Sequence, residues 1–77
     1  MAKGIIRDIP TTTHDKGKLE LTELDRVGPM DFTLKVGDMM EWHYPAYPME
    51  ILIGDLVELN YGSNTDCAIT RVLEHAR

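Results

Sequence analysis

Four residues in this 77-residue chain have side chains suited to holding a metal: His14, His43, Cys67 and His75. Imidazole and thiolate are the donors that a four-coordinate structural zinc takes. Their spacing contains no C-x-x-C and no H-x-x-x-H pair, so residue type alone points to a site. Each also has a plainer role open to it. His14 suits a solvated loop, His43 the polar face of a strand beside Glu41, and His75 a free tail. Cys67 suits a small buried position on the same strand face as Ile69. A second group is aromatic: Trp42, Tyr44, Tyr47 and Tyr61. Such rings stack nucleic-acid bases or anchor protein contacts. Trp42, Tyr44 and Tyr61 share the apolar face of their strands, so a core role is equally open to them. Tyr47 lies between Pro45 and Pro48 in a loop and is the stronger contact candidate. Trp42, Tyr47, Met30 and Met49 form the candidate partner-binding set; methionine adapts to irregular contacts. Carboxylates are plentiful, but no serine or cysteine nucleophile has an evident base beside it in sequence. No catalytic residue is expected.

The elements that must position these residues centre on a stretch that occurs twice. Val36-Gly37-Asp38-Met39-Met40-Glu41-Trp42-His43-Tyr44 is echoed by Ile53-Gly54-Asp55-Leu56-Val57-Glu58-Leu59-Asn60-Tyr61. Each copy reads as a turn at Gly-Asp followed by an alternating strand. Met40, Trp42 and Tyr44 point one way in the first copy; Val57, Leu59 and Tyr61 match them in the second. A slip of one residue would expose the whole apolar set, so the period of two fixes the buried face. Asp38 and Asp55 follow glycine, where aspartate stabilises a turn through nearby backbone. Two copies are too few for a solenoid. They are expected to be related arms of one small β-domain.

The remaining segments extend the same pattern. Gly4–Ile9 and Lys18–Leu24 read as strands, the second with a short helix as its alternative. Asp31–Val36 alternates strictly, with Phe32, Leu34 and Val36 on one face. Pro45 to Pro48 cannot be a central strand, because proline donates no amide proton. Gly62 to Asp66 is a turn and Cys67–Leu73 a last strand. The fold class is all-β: a single small domain over residues 1–77, with five to six short strands in a compact cone or small barrel and no major helix.

Composition narrows the function. A chain this short buries only about 60% of its unfolded surface, so its core is thin. One cysteine excludes an internal disulfide, which leaves a metal, self-association or a partner protein as outside support. The net charge of −5, from 13 acidic and 8 basic residues, argues against a general nucleic-acid binder. No apolar run spans a membrane, and the N-terminus lacks a signal-peptide core. The expected location is the cytoplasm when made, with export only inside a larger assembly.

Arg7-Asp8-Ile9-Pro10-Thr11-Thr12-Thr13-His14 and the two Gly-Asp repeats resemble small spike-tip proteins with proline-alanine-alanine-arginine (PAAR) repeats. Gly28-Pro29-Met30 leads into the first repeat and Pro48-Met49-Glu50 into the second, as in that family. The Pro-Ala-Ala-Arg tetrapeptide itself is absent. The resemblance implies a β-cone capping a spike of a phage tail or injection apparatus. It also implies zinc or iron held by three histidines and a cysteine, with His14 at the family's first histidine position. Ile53 to Leu59, then a turn and Cys67 to Val72, also looks like the end of a cold-shock or other oligonucleotide-binding barrel. That resemblance implies a protein-binding adaptor or inhibitor, or a single-stranded nucleic-acid binder. Both resemblances imply a non-catalytic protein.

Overall fold

The computed structural model describes residues 2–12, 14–24, 34–45, 49–61 and 66–76. Among them are five strands and no helix: β1 (Ala2–Asp8), β2 (Gly17–Glu23), β3 (Met39–Trp42), β4 (Leu56–Tyr61) and β5 (Asp66–Glu74). They close into one barrel in the order β1-β2-β3-β5-β4. Every pairing is antiparallel except β3 with β5, which run parallel at Glu41↔Asp66 and Trp42↔Cys67. A parallel neighbour needs a crossover, and the segment after β3 together with β4 supplies it.

Alternation puts one face of each strand inside. Ala2 and Ile6, Leu19 and Leu21, Met40 and Trp42, Val57 and Leu59, and Cys67 and Ile69 are all buried. Ile51 joins them from the segment before β4. Trp42 is the largest fully buried side chain. Its Nε1–H donates to the Lys18 carbonyl at 3.1 Å. Its ring meets Tyr44 edge-on, with centroids 5.3 Å apart. Gly17 lies opposite Trp42 in register. A Cβ there would stand 2.6 Å from the indole, so the ring fits only against a bare backbone.

β2, Gly17–Glu23, is strand as expected of Lys18–Leu24, because Leu19 and Leu21 face the core and pairing with β1 and β3 outweighs helix propensity. One expected element differs. Of the expected strand Asp31–Val36, residues 31–33 lie outside the described set. The described remainder is not strand: Val36 belongs to a turn, and pairing begins at Met39. The reason is Gly37, whose φ of +98° reverses the chain. The Gly62 to Asp66 turn lies outside the described residues up to 65; Asp66 already belongs to β5.

Candidate functional site

The Gly-Asp repeat is built twice to the same plan. In the first copy the Asp38 amide donates to the Lys35 carbonyl at 3.0 Å, and Asp38 Oδ2 accepts the Lys35 amide at 3.1 Å. In the second the Asp55 amide donates to the Leu52 carbonyl at 3.1 Å, and Asp55 Oδ2 accepts the Leu52 amide at 2.8 Å. Gly37 and Gly54, at φ +98° and +93°, take the third position of each turn. That is a type II turn, where glycine carries the left-handed residue without strain.

Each turn then docks on a strand. Leu21 of β2 donates to the Asp38 carbonyl and accepts from the Gly37 amide; Ile6 of β1 does the same with Asp55 and Gly54. From there β3 pairs back along β2 and β4 along β1. The β1–β4 pair is thus to the second turn what β2–β3 is to the first. Because β1 and β2 are antiparallel, the turns sit on opposite edges of that hairpin and enter from opposite ends. Their tips are apolar and exposed: Val36 (62%) at one, with Met39 (48%) just after it at the start of β3, and Leu52 (42%) with Ile53 (59%) at the other.

The copies differ at the carboxylate. Asp38 is half-buried, while Asp55 has no exposed surface. The chain leaving β5 covers Asp55. The Ala76 amide donates to Oδ1 at 2.6 Å, and His75 Nδ1 faces Oδ2 at 2.8 Å. His75 Nε2 lies 3.9 Å from Glu50 on its other side. Burial alone would push the Asp55 carboxyl up. The Ala76 and Leu52 amides and the His75 ring outweigh it and hold the group below its ordinary value. The tail is therefore pinned through His75 and Ala76 rather than free. Sequence reasoning found the turn role of Asp55 but not its grip on the tail. The signal available was a hydrogen-bonding His75 shortly after the last strand.

The expected metal ligands are not drawn together. His14 and His43 are exposed; the His14 amide donates to Thr12 Oγ1 within its own turn. Cys67 is buried in the core and His75 is taken by Asp55. Among the described residues no group of three or more His, Cys, Asp or Glu side chains could hold a metal. Among the described residues no donor set fits the zinc or iron that the spike-tip resemblance implies. The contact candidates also separate. Trp42 is fully buried, which takes it off any contact surface: its place on the inward face of β3 decides this. Met49 packs half-buried against the core. Met30 and Tyr47 lie outside the described residues.

The outer faces of the strands carry paired charge. Lys18 and Lys16 lie 3.2 and 3.8 Å from Glu41, Arg7 3.2 Å from Glu20, Lys3 3.6 Å from Glu23, and Arg71 3.4 Å from Glu58. Cations answered in this way form no stripe for a phosphate backbone. No helix among the described residues is long and apolar enough to cross a membrane. Compared with protein-family models, curated proteins and solved structures, the chain has no significant match to any.

Proposed function

We propose that this chain is a non-catalytic, protein-binding barrel that acts as an assembly adaptor, gripping its partner through the two Gly-Asp turn tips. The observation that carries this reading is the pair of exposed apolar tips, Val36 and its counterpart Ile53 with Leu52 beside it, held on equivalent hydrogen-bonded turns, and Met39 exposed just after the first. Large apolar side chains on a rigid turn raise contact area at little entropic cost. Their placement on opposite edges suits a body that bridges two surfaces.

Other chemistry has less to stand on. The His75–Asp55 pair orients a tail; the groove beside it is lined by Ile5, Gly54, Leu56, Glu74, His75 and Ala76, which include no hydroxyl or thiol for a nucleophile. Base stacking needs exposed rings, yet Trp42 is buried and Tyr44 and Tyr61 pack against the core. Five strands closed into one barrel suit the adaptor form of the oligonucleotide-binding architecture. A seat in a phage tail or injection apparatus is compatible with this role. The metal clip implied for a spike tip gains no support from the placement of His14, His43, Cys67 and His75.

The test is affinity capture from the source cells with wild-type bait and with a V36S/I53S bait of matched melting temperature. The reading expects a protein recovered in near-equal amount by the wild type and lost with the variant. Identical recovery by both baits would refute it. So would binding to single-stranded DNA at about 0.1 M salt, where screening already acts beyond about 10 Å.

A further inference from the structure

The outer face of the barrel carries one row that breaks the rule of its neighbours. Strand register places Met39, Glu20, Ile5, Leu56 and Glu74 side by side across β3, β2, β1, β4 and β5. On one side of this row lie Glu41, Lys18 and Asp8; on the other lie Glu23, Lys3, Glu58 and Arg71. Those two rows alternate in sign, as a solvated sheet face does. The row between them has Ile5 and Leu56 at its centre, pointing outward and only half-buried. Together with Gly54, Glu74 and the pinned His75 and Ala76 they line a groove of about 340 Å³.

Among the described residues the charge around the groove is one-sided. Glu74 is exposed, and among the described residues it has no basic partner. Glu50 has a side chain 74% exposed and, among the described residues, meets His75 alone, at 3.9 Å. Both cations of β1 are engaged, Arg7 by Glu20 and Lys3 by Glu23. A second copy of this chain is a poor occupant: at net charge −5 it would bring acidic rim to acidic rim. The volume lies at the low end of the roughly 300–1,000 Å³ of small-molecule pockets, enough for one or two side chains.

We infer that the Ile5–Leu56 groove is a docking site for an extended protein segment with an apolar side chain flanked by lysine or arginine. The apolar side chain lies on Ile5 and Leu56, and the cations meet Glu74 and Glu50. This deepens the adaptor reading and rests on it: it names the chemistry of one partner contact, beside the Leu52–Ile53 tip.

The test is an NMR titration of the ¹⁵N-labelled full chain with two short capped peptides. One has an isoleucine between two lysines; the other has glutamates in their place. The lysine peptide is expected to give saturable shifts at Ile5, Gly54, Leu56, Glu74 and His75. E50K/E74K, which changes only exposed side chains, is expected to weaken that binding by at least about tenfold, since it replaces attraction by repulsion. No shift with the lysine peptide, an equal response to the glutamate peptide, or shifts centred elsewhere would each overturn the inference. The two readings fail separately. Loss of peptide binding leaves the turn-tip capture to its own result, and indifference of that capture to V36S/I53S leaves peptide binding to stand on the titration.

Discussion

At the scale of single residues, Asp55 carries the most. Its carboxylate is out of contact with water and accepts from Leu52 and Ala76 while facing His75. Hydrogen bonds to an ionised, buried group are among the stronger ones, and an orphaned amide adds its own cost. Asp55→Ala is expected to lower unfolding free energy in urea by about 2–4 kcal/mol. Its counterpart Asp38 keeps one such bond at a half-exposed site; Asp38→Ala is expected to cost about 1 kcal/mol or less. Similar losses for both would contradict the asymmetry. The Asp55 carboxyl also titrates low. A carboxyl whose folded pKa is depressed gives stability that is full above its unfolded value, 3.8. That stability drains away as pH falls through the folded value. Denaturation midpoints should therefore drop more steeply below about pH 4 in wild type than in Asp55→Asn; parallel curves would show that the carboxylate is not the acid-sensitive group.

At the scale of elements, the twin turns explain both what was legible in the sequence and what was not. Gly-Asp followed by alternation gives a turn and then a strand in each copy, and the inward sets Met40–Trp42 and Val57–Leu59 are the buried ones. The partners of those strands were not legible. Register is local to neither copy: each turn is held by a residue from an earlier strand, Leu21 or Ile6. Val36 continues the alternation of Leu34 and so reads as strand, yet the positive φ of Gly37 ends that run. The glycines give a test. A Cβ on Gly37 would meet nothing within 4 Å, whereas one on Gly54 would stand 3.0 Å from the Ala76 Cβ. Gly37→Ala should therefore cost only the left-handed backbone strain, about 1–2 kcal/mol. Gly54→Ala should cost more and loosen the tail, read as a larger fall in urea midpoint. The reverse order would mean that Ala76 does not sit on the second turn.

At the scale of the whole molecule, the question is what holds a thin barrel together. The sequence pointed to outside support, with metal as one choice, because 77 residues and one cysteine leave few internal options. Within the described residues the barrel closes on itself, with each turn stitched to the hairpin and the tail stitched to a turn. Residue type suggested the metal set; only distance in space could unmake it, and spacing along the chain carries no such distance. A chelator is thus expected to leave the melting temperature unchanged, and a fall on chelation would restore the metal clip. The measurement that tests the account most directly is amide hydrogen exchange at Ile6, Leu21, Gly37, Gly54 and Ala76. If both turns are locked on β1 and β2, the first four exchange slowly and together, near the limit set by global unfolding, with Ala76 protected beside them. Exchange of Gly37 and Gly54 at the rate of an unstructured peptide would contradict it.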